Sequence, residues 1–393
     1  MDLKDREKIF TYLNNYTEIS KEQIDRSNTK QPLLKSYVFE TFDPELSKGD
    51  IDIFGISDLF NQKQFKLKQI DEGFYILNHC EKEFAFFEKL NERFFVMYSL
   101  EKAGLTDSYA SKLVNLSPLI DNLWISGKMF DTLLLNIMKY HNPRRYTKIN
   151  FEFDDHFNNE QEGEQDFLED KISRISLTKD LTDVRNNLEG IRGYLPEFHC
   201  IGMLRFPSRI GKGGHDFYQN GKVTNRSNDF RDHRLYITEN MQFYKSITEE
   251  IERKVWLDFE PVKAPDASYS MAFKGVPVVF KFNKVIKDTV FRNFINSTFP
   301  KGKAPFRILG EPIWLGEHRV HVYGVDLHLW QEVMLDLSPS QFTVFIPRGT
   351  CGNTIHRLIT NIQRYLSPHI EVMIGNTSYE KLLKKNMGLN DNE

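Results

Sequence analysis

Residues 341–375 read QFTVFIPRGTCGNTIHRLITNIQRYLSPHIEVMIG, and this stretch sets the expected architecture. Phe342, Val344 and Ile346 alternate with Thr343 and Phe345, which predicts a largely buried strand. Ile355, Leu358, Ile359, Ile362 and Leu366 then recur at i, i+3, i+4, i+7 and i+11, one stripe on a 3.6-residue period, so a helix follows. Asn353 or Thr354 can cap its first turn with a side-chain oxygen, and Pro368 stops it. The run HIEVMIG predicts a second strand. The loop between strand and helix leaves free N–H groups at the positive end of the helix dipole, the physics of an anion site. Arg348, Gly349, Cys351, Gly352, Asn353 and Thr354 are therefore the candidate phosphate-binding residues. No Lys-Ser or Lys-Thr follows the second glycine, so this is not a P-loop. A tight turn using glycine for positive φ is the plainer reading.

Working outward, 393 residues exceed what one compact core usually holds. The expected class is α+β (mixed α/β). A smaller α+β domain is expected over 1–150, an acidic linker or loop over 151–189, a mixed-sheet domain with flanking helices over 190–380, and a frayed tail over 381–393. Short strands are expected at 36–42 and 51–56, a hairpin around Asp71-Glu72-Gly73, and helices over 1–30 and 106–140. Asn220-Gly221 marks a hairpin tip, followed by a strand near Leu235 and a helix over 241–252. Phe84, Phe86, Phe87, Phe94, Phe95 and Tyr98 could stack on bases, but few basic residues are interleaved, which favours a core wall. Cys80, Cys200 and Cys351 are sparse and unpaired by spacing, which fits a reducing compartment rather than a disulfide framework. MDLKDREKIF lacks the apolar core of a signal peptide, and no run approaches the roughly 18 apolar residues of a membrane helix, so a cytoplasmic location without membrane contact is expected.

The formal charge of −3 hides an asymmetry. Residues 152–170 carry Glu152, Asp154, Asp155, Glu160, Glu162, Glu164, Asp166, Glu169 and Asp170 with no Lys or Arg, a pattern of solvated connections. The sign then reverses. Arg205, Arg209, Lys212, Lys222, Arg226, Arg231 and Arg234 outnumber Asp216, Asp229 and Asp232, and Arg292, Lys301, Lys303 and Arg307 follow with no acids among them. Arg357 and Arg364 lie seven apart, on a helix face expected to be free of the apolar stripe. Together these residues form the candidate nucleic-acid-binding set, DNA or RNA, because clustered cations release counterions from phosphates. Pairing with the chain's own carboxylates is the alternative.

Three residues are candidates for catalysis. Along HRVHVYGVDLHLW the even positions share one strand face, which places Asp326 beside His328, and His356 could approach them. Such a group could hold a divalent metal or pair a carboxylate with a histidine base. His215-Asp216 and Asp229-x-x-Asp232-His233 form a second acid–histidine cluster, read as a solvated hairpin. Asp121 and Trp124 are read as a helix end and a core plug. Cys351 at a helix N-terminus would have a lowered pKa if exposed, although a structural cysteine is the simpler reading.

The leading functional expectation is a nucleic-acid-associated binding protein, in the setting of a subunit of a prokaryotic defence or nucleic-acid-processing complex. Two alternatives stand beside it. One is a metal-dependent phosphoesterase or nuclease using a divalent metal. The other is a protein–protein interaction scaffold whose basic patches meet an acidic partner.

Overall fold

A computed structural model describes residues 5–25, 31–41, 65–79, 82–158, 172–263 and 269–389. Cys80, the strand expected at 51–56 and the acids from Glu160 to Asp170 lie outside the described residues. Among the described residues the chain forms eight α-helices and three sheets, an α+β fold. Every ladder in the sheets is antiparallel, where a mixed sheet was expected.

The larger sheet has eleven strands. In spatial order its main path is Phe65–Asp71, Phe74–His79, Lys82–Lys89, Phe94–Ser99, Lys35–Glu40, Lys222–Asn225, Gly214–Tyr218, Ile201–Pro207, Tyr146–Asp154 and Ile172–Asp180; the short Asp121–Asn122 pairs beside Lys35–Glu40. Lys35–Glu40 is the seam, paired on one side with Phe94–Ser99 and on the other with Lys222–Asn225. Residues on both sides of 151–189 therefore share one sheet. The strands Tyr146–Asp154 and Ile172–Asp180 pair antiparallel with each other. One cluster of buried side chains runs from Ile9 to Leu383.

The second sheet has seven strands, in the order Ile308–Gly316, Arg319–Asp326, Gln331–Ser338, Gln341–Phe345, Val278–Phe282, Ile370–Ile374 and Thr377–Ser378. The first four run as a meander. The strand–helix–strand expected at 341–375 is present: Gln341–Phe345, helix Asn353–Tyr365 and Ile370–Ile374, with Val278–Phe282 lying between the two strands. A separate two-stranded ribbon pairs Asp258–Lys263 with Tyr269–Lys274.

Helix Asn353–Tyr365 differs from expectation in one respect. Residues 353–363 are all buried, so it has no solvent face at all. Its apolar stripe joins the main core, while its polar residues face helix Phe230–Val255 and the large sheet.

Two local readings change. The region near Leu235 is helical rather than extended. Asp229 caps helix Phe230–Val255 by accepting from the Asp232 N–H at 2.7 Å, and Phe230, His233, Ile237, Met241, Tyr244, Thr248 and Ile251 form its buried stripe. The tail does not begin at 381. Ser378 caps helix Tyr379–Asn386 at 3.2 Å from the Lys381 N–H, and Tyr379, Leu382 and Leu383 dock into the core.

This docking is testable by urea denaturation. Leu383→Ala is expected to cost about 2–5 kcal/mol, the range for emptying a packed leucine site. A loss under about 0.5 kcal/mol, the surface range, would show that the helix is not packed.

Candidate functional site

Between the two sheets lies a cluster of buried charges. It begins at the end of the seam strand. Glu40 pairs in register with Phe94, which brings Arg93 beside it, and the Thr41 N–H donates to the Arg93 carbonyl at 2.7 Å. Arg93 Nε donates to Glu40 Oε1, while Nη1 and Nη2 donate to Glu252 Oε2 and Oε1 at 3.0 and 2.6 Å. Glu252 sits near the end of helix Phe230–Val255 and accepts the Gly352 N–H at 2.7 Å.

That last bond corrects the phosphate reading of the 348–354 loop. A carboxylate does lie at the helix N-terminus, as the dipole favours, but it is the protein's own Glu252. Cys351, Gly352, Asn353 and Thr354 are buried, and a Cβ on Gly352 would meet the Thr248 carbonyl oxygen at 2.9 Å. Arg348 instead pairs with Asp258 at 2.8 Å on the surface. Gly349 has φ +97° in a turn closed by the Thr350 N–H on the Pro347 carbonyl, so the tight turn is what forms here.

The second half of the cluster is centred on Arg357. Its Nη1 donates to Asp121 Oδ2, its Nη2 to Asp326 Oδ2 and its Nε to the Phe306 carbonyl at 2.9 Å. Asp121 also accepts from Trp124 Nε1 at 3.2 Å, Arg307 Nη1 at 3.1 Å and Asn353 Nδ2 at 3.2 Å. Asp121, Asp326 and Arg357 are fully buried, and Arg307 nearly so. Burial pushes the Asp121 carboxyl up, but Arg357 and Arg307 outweigh it and hold the group below the usual carboxylate range. Asp121 and Trp124 are thus linked to a hub, more than a helix end and a core plug. Arg307 adopts φ 55°, a left-handed backbone held by its guanidinium bonds to the Ile120 and Leu327 carbonyls as well as to Asp121.

The catalytic candidates do not assemble as expected. The strand ends at Asp326, whose Oδ1 accepts the His328 N–H at 2.9 Å, so His328 sits in the following turn rather than on the strand face. Asp326 Oδ2 is taken by Thr354 and Arg357. Its carboxylate is therefore committed and is not a free base or metal ligand. His328 Nδ1 lies 3.1 Å from the Pro118 carbonyl, and only an N–H can bond there, so Nε2 carries the lone pair. Burial lowers the His328 pKa to about 4, although Asp121 and Asp326 pull the other way. His356 belongs to a different contact set. Its Nε2 is 3.1 Å from the Thr248 hydroxyl, which itself donates to the Tyr244 carbonyl, and its Nδ1 is 2.9 Å from the Tyr379 hydroxyl. His356 therefore carries its proton on Nε2, and burial followed by the Arg93 charge lowers its pKa to about 3. Cys351 is buried, and burial followed by the Glu40 charge raises its thiol well above the ordinary value. Glu40, Arg93 and Glu252 were missed because nothing in their local sequence signals burial. The acid–histidine cluster expected on a solvated hairpin is also interior: His215, Asp216, Asp232 and His233 are buried, with Ser36, His233, His215 and Asp232 linked by bonds of 2.8, 3.2 and 3.1 Å.

The basic residues are largely matched by carboxylates. Arg205 and Arg226 both bond Asp216, each with a contact of 2.5 Å. Arg209 pairs with Glu239, Lys222 with Asp107 at 2.7 Å and Arg234 with Glu88 at 2.6 Å. Arg292 pairs with Asp288 at 3.0 Å and Arg364 with Glu152 at 3.5 Å, while Arg231 approaches Glu7 only to 3.6 Å on the surface. Lys212 is exposed and is felt by Asp25, and Lys301 and Lys303 also have partners. Arg307 and Arg357 must be removed from any phosphate-contacting surface, because both are buried on Asp121. The helix face shared by Arg357 and Arg364 is an interior face.

The ribbon presents a different kind of surface. Cross-strand register puts Phe259, Pro261, Met271 and Phe273 on one face and Asp258, Glu260, Val262 and Lys274 on the other. Phe259 and Phe273 are partners, with rings 5.5 Å apart, yet they remain 63% and 61% exposed, and Met271 63%. On the outer face of the seven-stranded sheet, Tyr323, Met334 and Phe345 form a cross-strand row, and Tyr323 is 60% exposed.

The fold and cluster define an α+β protein whose two sheets meet at buried, paired charges. It belongs to the MJECL33-like protein family, whose model matches residues 2–381. The chain is 25% identical over 402 residues to an uncharacterized protein of Methanocaldococcus jannaschii, MJECL33, with 92% of each chain covered. Among the described residues no helix is long and apolar enough to cross a membrane.

Two outcomes follow from the cluster. Arg357→Leu leaves the buried Asp326 without its cation and Asp121 with Arg307 alone, and is expected to cost roughly 3–5 kcal/mol in denaturant unfolding; a cost under about 1 kcal/mol would mean that the ions are solvated. His356 is neutral when folded, while the unfolded chain takes up its proton below about pH 6.5. Stability from this group is complete above that pH and falls as the pH drops toward 3, by up to about 1.4 kcal/mol per unit. His356→Gln should flatten the acid limb of a stability–pH curve, and an unchanged slope would assign it elsewhere.

Proposed function

We propose that this chain is a self-associating subunit that works through protein–protein contact, and that its amphipathic ribbon docks on a second copy of the chain. The observation that carries this reading is the exposed apolar face of Phe259, Pro261, Met271 and Phe273. A two-stranded ribbon is marginal by itself in water and gains from a cover. Contiguous exposed apolar side chains of this kind mark contact surfaces.

The ribbon leaves from the end of the second sheet, where the Leu257 N–H donates to Ile346 and the Arg348 N–H donates to Leu257, at 3.0 and 3.1 Å. This places its root next to the Tyr323–Met334–Phe345 row. One chain thus carries both an apolar ribbon and an open apolar sheet row, and a twofold pair would cover each of them twice. Leu309, Ile313 and Leu315 add exposed area on the same sheet face as Tyr323. With Phe259, Met271, Phe273 and Tyr323 these side chains offer on the order of 700 Å², close to the roughly 800 Å² per partner of a standard interface. Extension of the sheet at its edge is disfavoured, because Ile308–Gly316 carries Pro312 and a register shift between Trp314 and Gly316.

The basic residues support nucleic-acid contact less well, since carboxylates already neutralise most of them. Light scattering across the micromolar range is expected to show a concentration-dependent dimer, reduced to monomer by the double substitution Phe259→Ser and Phe273→Ser. A wild-type monomer throughout would overturn the proposal. If that monomer also shifts short DNA at low salt, and Arg226→Glu weakens the shift, phosphate contact takes its place.

A further inference from the structure

Within the buried cluster, three side chains arrive from separate parts of the fold. Glu40 ends the seam strand of the large sheet, His328 lies in the turn after Arg319–Asp326 of the second sheet, and Cys351 leads into helix Asn353–Tyr365. All three are buried, and each offers a ligand atom within 4.8 Å of the other two. Glu40 Oε1 is bonded to Arg93, but among the described residues Glu40 Oε2 has no hydrogen-bond partner. His328 donates from Nδ1 to Pro118, and its Nε2 also has none. A buried lone pair without a donor is costly, and two of them belong to one group of three ligand-type side chains.

We propose that Glu40, His328 and Cys351 bind one zinc ion, which ties both sheets to the central helix. Oxygen, nitrogen and sulfur together suit a borderline-soft divalent cation. Histidine ligands to zinc usually donate their second nitrogen to a carbonyl or carboxylate, as His328 does to Pro118. Ligand atoms on one tetrahedral zinc lie about 3.2–3.8 Å apart, so closing from at most 4.8 Å needs only small side-chain movement. The fourth position falls to water or to the second Glu40 oxygen.

Formal charge agrees. Among the described residues, Glu40, Asp121, Glu252 and Asp326 face Arg93, Arg307 and Arg357, which leaves one negative charge in excess. A divalent cation bound to a Cys351 thiolate brings the cluster to neutrality. The opposing term is Arg93, whose Nη2 lies 3.4 Å from Cys351 Sγ, but its own charge is matched by Glu40 and Glu252. Binding forms a zinc–sulfur bond as the thiol proton passes to solvent, together with any proton on Glu40. His328 releases none, because Nε2 already carries its lone pair. No redox change is involved. The closed setting makes this a structural cross-link.

The test is to refold the full chain with zinc or cobalt(II), pass it through gel filtration and measure bound metal. Stoichiometric metal is expected, and cobalt should give tetrahedral visible bands with a near-ultraviolet sulfur-to-cobalt charge-transfer band. Cys351→Ser should lose that band, and His328→Gln should weaken binding at least ~100-fold, beyond the effect of second-sphere changes. If either variant does not fold, the wild-type cobalt spectrum still decides whether a thiolate is bound. Substoichiometric metal in the wild-type chain, or a cobalt spectrum without the thiolate band, would overturn the proposal. So would a thermal midpoint that a strong chelator leaves unchanged.

Discussion

Arg357 lies between Asp121 and Asp326 with no exposure to water. The three residues come from distant parts of the chain: a short strand beside the seam of the large sheet, the end of a strand in the second sheet, and the helix between them. A buried ion pair is a poor device for stability alone, because desolvating the ions offsets most of their attraction. Its effect on geometry is stronger. A guanidinium offers its donors in a fixed plane, so the two carboxylates must approach from set directions. The bonds to the Phe306 carbonyl and from Thr354, Asn353 and Trp124 then leave little freedom in how one sheet meets the other. An apolar interface of the same size could slide. This one has a single arrangement in which every ion is paired.

The same constraint explains the behaviour of the organising helix. A helix buried on all sides normally carries apolar residues all round. Here Asn353, Thr354, His356, Arg357, Thr360, Asn361 and Gln363 are buried as well. Most of them have partners: Asp121 for Asn353, Asp326 for Thr354, Tyr379 for His356, and the Arg357 carbonyl for Asn361. Even Gln363 reaches out, accepting the Gly127 N–H at 3.0 Å and linking the helix to another one. The polar half of the helix is thus a second packing surface, specified by hydrogen bonds where the first is specified by shape.

The strand–helix–strand unit at 341–375 could be read because its signals are local: a period of 3.6, an alternation, a proline stop. The hairpins at Asp71-Glu72-Gly73 and Asn220-Gly221 were legible for the same reason, with Gly73 and Gly221 at φ 65° and 77°. The cluster was not legible. Asp326 and His328 stood out, but they were placed on one sheet face by reading the strand on to Leu329, whereas it ends at Asp326. Arg357 reads as a solvated cation, since only the distant Asp121 and Asp326 show otherwise. Glu40 and Arg93 meet because two strands separated by a long stretch of chain lie in register. Charge runs mislead in the same way, for a window of sequence counts Arg205 and Arg226 as free while the fold folds both onto Asp216.

The contrast between the interior and the ribbon follows from these matched charges. In the core, Arg93, Arg307 and Arg357 have been brought to carboxylates across long sequence distances, at the cost of ordering many side chains. On the ribbon, Phe259 and Phe273 pack ring against ring yet stay 63% and 61% exposed. A chain that satisfies an arginine such as Arg357 by contacts with three different elements does not leave aromatic rings in water for want of packing options. The root of the ribbon is fastened by two backbone hydrogen bonds and by the Arg348–Asp258 pair, so its exposed face is held in a fixed direction relative to the sheet. Fixing an apolar face before a partner arrives removes part of the ordering cost of association. The rigid charge-matched centre and the uncovered ribbon are therefore parts of one design, in which the first holds the second in place for contact.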